Sequence, residues 1–155
     1  MGTETPAGVV ALDVHACWEL LRSVQVGRLA VLTDGRPDIF PINFVVDHGT
    51  VVFRTSDGTK LAAMMSAPDV AFEADAYDTG GRGAWSVVLR GQVQEITQLS
   101  DALDAMRLPL SPHYPGPKNR YLRVVPDAVT GRRFQVVDAA VWRTSMTDAR
   151  TASPE

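Results

Sequence analysis

The feature that most constrains the fold is a run of short β-rich segments joined by very short turns. Val26–Leu32 is rich in β-forming residues, and Asp34-Gly35 after it is a strong hairpin signal. Asp38–Val46 is predicted as the return strand, and His48-Gly49 marks a second turn. Because parallel neighbours need a crossover of about a dozen residues or more, these connections predict an antiparallel meander.

Further strands and three short helices extend this pattern. The strands are predicted at Val51–Thr55, Asp69–Ala76, Trp85–Ile96, Tyr121–Val125 and Arg132–Val137, with a turn over Pro126–Gly131 between the last two. The helices are predicted from Val14 to Leu21 behind an Asp13 cap, at Thr59–Ser66, and from Ser100 to Met106 before the irregular, proline-rich Pro109–Pro117. Gly91 indicates a bulge or bend of the kind that closes barrels. The chain is therefore predicted to be mainly β with a few short helices, as an antiparallel sheet closing into a barrel.

Length and composition limit the domain count and the partners. The 155 residues predict a single domain over 1–143, followed by a polar, flexible tail over 144–155. A formal net charge of -3 gives no general attraction to nucleic acid or to an anionic membrane. No segment is long and apolar enough to cross a bilayer, and no secretory signal is recognised, so a cytoplasmic location is expected.

Neither metal chemistry nor serine-hydrolase chemistry has a signature in the sequence. His15, His48 and His113 are scattered without metal-ligand spacing, so no metal site is expected. Cys17 is the sole cysteine, which excludes an internal disulfide, and its place on the apolar helix face indicates packing. The nucleophile pattern G-x-S-x-G is absent.

An anion site is predicted where a strand meets a helix. Arg54, Thr55 and Ser56 close the strand, and the helix that follows contains Lys60. A helix start offers unbonded N–H groups and partial positive charge, and hydroxyl and cationic side chains add donors for a phosphate. The alternative is that Ser56 or Asp57 only caps the helix while the cations stay solvated. Asp57 counts against the phosphate interpretation, since its carboxylate would repel the ligand unless it is turned outward.

A resemblance to a known family lies in Val26 to Met65, which reads VGRLAVLTDGRPDIFPINFVVDHGTVVFRTSDGTKLAAMM. This stretch resembles the opening of the FMN-binding split-barrel family related to pyridoxamine-phosphate oxidase. That opening has a P-x-N-F/Y strand and a strand ending in Thr-Ser before a Lys-containing helix. Trp85 to Ile96 is similar to the family's long strand, and the likeness extends more loosely to Val129–Arg133. It implies an antiparallel split β-barrel that forms a homodimer with the cofactor at the subunit interface.

The resemblance also implies a cofactor site. Arg54, Thr55, Ser56 and Lys60 would hold the phosphate of FMN. Backbone groups of Pro41, Ile42, Asn43 and Phe44 would face the polar edge of the isoalloxazine ring, and proline by itself indicates a strand edge or bulge. Trp85 and Ser86 of the partner subunit would help to enclose the flavin, whereas packing or a dimer contact is the simpler account of a tryptophan there.

The activity implied by the resemblance is that of an FMN-dependent oxidoreductase. Hydride would pass through the bound flavin to or from a small molecule, and no side chain is assigned as acid or base. The substrate is unidentified, because the Arg, Tyr and Ser residues that bind the substrate phosphate in pyridoxamine-phosphate oxidase itself are not seen. The alternatives are a deazaflavin-dependent reductase on the same fold and a non-catalytic flavin- or haem-binding protein.

Overall fold

The computed structural model describes residues 8–97, 104 and 120–135. The helices are α1 (Val14–Arg22) and α2 (Thr59–Ser66). The strands are β1 (Val9–Leu12), β2 (Val26–Thr33), β3 (Arg36–Asn43), β4 (Val45–Asp47), β5 (Thr50–Thr55), β6 (Asp69–Tyr77), β7 (Gly83–Glu95) and β8 (Arg120–Gln135). They form one antiparallel sheet in the order β3-β2-β6-β7-β8-β5-β4, with β1 paired to β8.

The two ends of this sheet are consecutive in the chain. β3 pairs with β2 at one end, β4 pairs with β5 at the other, and Phe44 alone joins them. The Phe44 N–H donates to the Gln25 carbonyl at 3.1 Å, and its ring packs edge-on against Phe72 with centroids 4.8 Å apart. The sheet therefore curls until its edges meet at one buried corner, which confirms the predicted mainly-β antiparallel split barrel.

Both predicted hairpin turns are present. Asp34 and Gly35 have φ angles of 52° and 74°, and His48 and Gly49 have 46° and 71°. Two successive positive φ angles are typical of the type I′ turn, whose twist matches that of the flanking strands. The predicted return strand Asp38–Val46 is divided into two strands, β3 and β4, in the structure. It breaks at the corner because β3 pairs with β2 and β4 pairs with β5.

The bend predicted at Gly91 is also confirmed. The register of β7 against β8 shifts between Arg90 and Gly91, which oppose Ala128 and Pro126. Asp127 is therefore the extra residue of a β-bulge on β8. A Cβ on Gly91 would lie 2.0 Å from the backbone oxygen of the residue before Pro126, so only glycine fits.

The predicted turn over Pro126–Gly131 is wrong. β8 runs unbroken from Arg120 to Gln135, because the bulge absorbs the proline and β7 continues to pair beyond it. This length gives β8 a second role. Its first half pairs with β5 and its second half with β1, a short strand that the sequence did not predict.

Helix α1 closes the barrel from the side of β8. The Asp13 carboxylate accepts the Ala16 N–H at 2.8 Å, which confirms the predicted cap. Cys17 is fully buried, and a Cβ on Gly131 would lie 2.5 Å from its sulfur. Burial, assisted by the nearby charge of Asp13, raises the pKa of the Cys17 thiol, as expected for a packing residue.

The core lies between the inner face of the sheet and the two helices. Its largest fully buried side chains are Phe53, Phe72, Leu21, Leu29, Met64, Leu89 and Leu122. The predicted Ser100–Met106 helix, the Pro109–Pro117 segment and the 144–155 tail lie outside the described residues, apart from Asp104, which is helical. Of the helices described, none is long and apolar enough to span a membrane.

Candidate functional site

The start of α2 forms the centre of the candidate site. β5 ends at Thr55, and the loop Ser56–Gly58 leads directly into the helix. Gly58 occupies the cap position with φ 154°, and no side chain in the described ranges caps the helix through a hydrogen bond. The cap expected of Ser56 or Asp57 is therefore not formed, and the first turn of α2 keeps the N–H groups that an anion needs.

The two cations of the predicted anion site, Lys60 and Arg54, each lie over an aromatic ring. The Lys60 ammonium lies 4.2 Å from the centroid of the Phe40 ring, and the Arg54 guanidinium lies 6.0 Å from that of Tyr121. Both cations are half-buried, so neither is simply solvated. Contacts of this kind attract a cation to the face of an aromatic ring and so favour one direction for its charge. Through Phe40, α2 is also tied to β3.

The two hydroxyls differ in accessibility. Thr55 is 7% exposed, and its Oγ1 donates a long 3.4 Å bond to the Ser56 carbonyl. The Ser56 side chain is exposed. Of the two, Ser56 is therefore the hydroxyl positioned to reach a ligand from solvent, while Thr55 helps to shape the loop.

Asp57, the residue that counted against an anion, has a partner. Its carboxylate accepts a hydrogen bond from Arg120 Nη1 at 2.9 Å, and Arg120 Nε donates to Glu95 at 2.5 Å. The bond to Glu95 raises the pKa of Arg120 against partial desolvation, and the charges of Glu95 and Asp57 raise it further. Arg120 lies 63 residues from Asp57, so no local sequence signal could have revealed this pair.

A cavity of about 280 Å³ adjoins the corner between β3 and β4. Its lining residues are Leu21, Arg22, Val24, Gln25, Asn43, Phe44, Val45 and Val46. The Asn43 Oδ1 atom is buried, and no hydrogen-bond partner for it exists among the described residues. A buried acceptor of this kind is uncommon, and a ligand N–H or O–H entering the cavity would satisfy it. The sequence predicted Asn43 as a site residue but gave no sign of the cavity.

The other predicted residues of β3 lie on opposite faces. Ile42 is 8% exposed and belongs to the core, whereas Pro41 is exposed and opposes Arg28 of β2. Arg28 donates to Glu73 at 2.7 Å and also contacts Asp75. Partial burial alone would lower the pKa of Arg28, but these hydrogen bonds raise it. The network, which the sequence did not predict, provides charge beside Pro41.

Trp85 and Ser86 are not brought to the start of α2. Trp85 is 3% exposed within the core of its own barrel, so packing accounts for its indole. Ser86 is half-buried on the opposite face of β7, between Asp75 of β6 and Arg132 of β8. Their contact with a partner's cofactor stays a prediction, and only Ser86 presents its side chain outward.

Comparison with known proteins places the chain in a family. The model of the pyridoxamine 5'-phosphate oxidase family matches residues 13–133, which is most of the chain. The chain belongs to this family. The match includes β3, β5 and α2, so the predicted anion site from Arg54 to Lys60 and the corner cavity both lie in the matched part of the chain.

Individual relatives extend the comparison. A FAD binding protein from Mycobacterium smegmatis is 41% identical, has a TM-score of 0.68, and covers 81% of this chain and 98% of that one. A putative pyridoxamine 5'-phosphate oxidase from Corynebacterium glutamicum is 40% identical with a TM-score of 0.74, covering 83% and 99%. The uncharacterized protein Rv0080 of Mycobacterium tuberculosis is 35% identical over 131 residues, covering 81% of this chain and 86% of the relative.

Proposed function

We propose that this member of the pyridoxamine 5'-phosphate oxidase family binds a flavin and uses it as an oxidoreductase. The observation that carries the proposal is the start of α2, a helix that contains Lys60, follows the Arg54 strand and is capped by no described side chain. The backbone N–H groups and the Ser56 hydroxyl would bind the flavin phosphate, and the two cations would neutralise it.

The flavin ring would lie toward the corner of the barrel. Phe40, which contacts Lys60, precedes Asn43 by three residues on β3, about 10 Å along a strand. Because the two residues are three apart, their side chains point to opposite faces of β3. The ribityl chain that separates the phosphate of a flavin from its ring would therefore pass around the edge of β3, which is the last strand at its end of the sheet. The unpartnered Asn43 Oδ1 supports the fit, because the polar edge of the ring carries an N–H donor.

FMN is the proposed cofactor, because the described residues offer one phosphate site. FAD is the second candidate, since the Mycobacterium smegmatis protein at 41% identity is named as a FAD binding protein. Both flavins share the phosphate and ring that α2 and β3 would hold. A deazaflavin stays the alternative on the same fold.

The chemistry proposed for the bound flavin is hydride transfer to or from a small organic molecule or a nicotinamide. The chain's own residues bind the phosphate, orient the ring along β3 and cover one face of it. The corner cavity would give the ring a partly apolar environment. No acid or base from the chain is required for this transfer.

The decisive experiment is to mix the flavin-loaded protein with NADH or NADPH under anaerobic conditions. An oxidoreductase would lose the visible absorption of the oxidised flavin faster than free flavin does, and reduced deazaflavin serves as the second donor. A protein that keeps its flavin oxidised with every donor would instead be a non-catalytic flavin binder.

We further propose a homodimer with the flavin at the subunit interface. The outer face of the barrel supports this proposal through exposed apolar residues. Ile39 is 64% exposed and Leu32 is 40% exposed, and Ala30 lies in register between Ile39 and Ala71. Exposed apolar side chains on two neighbouring strands, with half-buried alanines beside them, are the kind of surface that association covers.

A further inference from the structure

We propose that Arg120 is a positioning residue for the flavin phosphate, acting through Asp57. The inference rests on the proposed phosphate site at α2 and deepens it. Arg120 holds the Asp57 carboxylate away from the helix start, so that the N–H groups of the first turn stay available to the ligand. Neither the family resemblance nor the short motifs of the sequence assign this role.

The geometry of Arg120 allows it to hold the Asp57 carboxylate in one direction. It lies directly opposite Thr55, the last residue of β5, in the register of the sheet. Its Nε donates to Glu95 at 2.5 Å, and Glu95 is only 18% exposed. The second arm, Nη1, reaches Asp57 at 2.9 Å in the loop that enters α2. The Nε group of Arg120 is therefore fixed to the sheet, and its Nη1 group determines the direction of the Asp57 carboxylate.

The position of Asp57 explains why its carboxylate must be held away from the helix start. It precedes Gly58, the cap residue of α2, and carboxylates are attracted to the positive end of a helix. Aspartate is also among the preferred capping residues. Without a partner, the Asp57 side chain, which is 69% exposed, would compete with a phosphate for the same N–H groups and would repel it.

The pairing removes the competition and reduces the repulsion. In the structure Asp57 caps nothing, and its carboxylate shares the Arg120 guanidinium with Glu95. Because Glu95 is bound to the same guanidinium, Arg120 adds little net positive charge to the site. Its contribution is therefore the direction of the Asp57 carboxylate rather than direct attraction of the ligand.

The test compares FMN with riboflavin, which lacks the phosphate, by fluorescence titration of four proteins. These are the unmodified protein, Arg120→Gln, Asp57→Asn and the double variant. We expect Arg120→Gln to weaken FMN binding about tenfold while riboflavin binding is unchanged. Asp57→Asn should bind FMN at least as tightly as the unmodified protein. The double variant should recover most of the loss, because the competing charge is gone.

Arg123→Gln is the matched control. Arg123 lies three residues further along β8 and reaches Asp47 at 3.8 Å rather than the loop before α2, so the ratio of FMN to riboflavin affinity should not change. Equal weakening of both ligands by Arg120→Gln, or no recovery in the double variant, would overturn the role of Arg120. An unmodified protein that binds FMN no better than riboflavin would overturn the phosphate site, and this inference with it.

Discussion

At several positions the surrounding atoms or the backbone conformation leave no room for a side chain other than that of glycine. Gly91 faces the backbone of β8, where a Cβ would lie 2.7 Å from the Pro126 Cα atom. Gly58 has a φ of 154°, a conformation that side chains with a Cβ rarely adopt. The sequence predicted the bend at Gly91 because glycine within a strand usually marks one. It could not predict the orphaned Asn43 oxygen, which depends on how the end of α1 packs against the corner at Phe44.

Replacing Gly91 with alanine should destabilise the fold by about 3 kcal/mol, because the new methyl meets backbone atoms that no rotamer change can move. Gly83→Ala is the control. Its Cβ would lie 2.5 Å from the Asp78 Oδ2 atom, at the end of a side chain that can turn away. Urea unfolding monitored by tryptophan fluorescence measures both. Equal stabilities for the two variants would contradict the close approach described at Gly91.

Removing the Lys60 ammonium should weaken FMN binding about tenfold and leave riboflavin binding almost unchanged, because the charge-assisted bond to the phosphate is lost. Arg90→Ala, which changes an exposed cation on β7, serves as the control and should have no effect on either ligand. Titration of the quenching of flavin fluorescence gives both affinities. An undiminished FMN affinity in Lys60→Ala would mean that Lys60 has been given the wrong role.

At the scale of elements, local patterns predicted most of the architecture. The α2 helix agrees with its predicted bounds, and both type I′ turns lie where the dipeptides indicated. The errors occurred where tertiary pairing overrides local signals. Pro126 suggested a turn, but β7 pairs on both sides of it and the bulge at Asp127 accommodates it. The four-residue β1 exists only because β8 is long enough to pair with it.

Helix α1 depends measurably on its cap. Asp13→Ala should lower the free energy of unfolding by about 1 kcal/mol, because the 2.8 Å bond to the Ala16 N–H is lost. Asp13→Asn retains a side-chain acceptor and should lose much less. Chemical denaturation compares the two variants. If the Asp13→Ala and Asp13→Asn variants prove equally stable, the cap contributes nothing to the stability of the fold.

At the scale of the whole molecule, the site joins parts that the sequence separates. Within the predicted stretch from Pro41 to Lys60, Ile42 lies in the core and Pro41 lies on the opposite face of β3, while Lys60 of α2 contacts Phe40 of the same strand. The remaining parts come from outside this stretch: Arg120 lies 63 residues after Asp57, and the α1 residues that line the corner cavity precede β2. Topology alone unites them, because β8 pairs with β5 and α1 packs beside β4.

A homodimer through the outer face predicts that Ile39→Lys weakens association. The charge would be buried in an apolar contact at a position now 64% exposed. Gel filtration with light scattering should show a dimer for the unmodified protein and a larger monomer fraction for the variant. Flavin affinity should fall with it if the site is shared. Arg36→Lys, on the same strand but conserving charge, is the control.

The central claim is that this chain binds a flavin, and the visible absorption spectrum tests it most directly. The purified protein would be measured before and after the addition of excess FMN, with unbound flavin removed by gel filtration. FAD and a deazaflavin would be tested in parallel. Retained bands of oxidised flavin, near one equivalent per chain, are expected. A protein that emerges colourless after both FMN and FAD would contradict it.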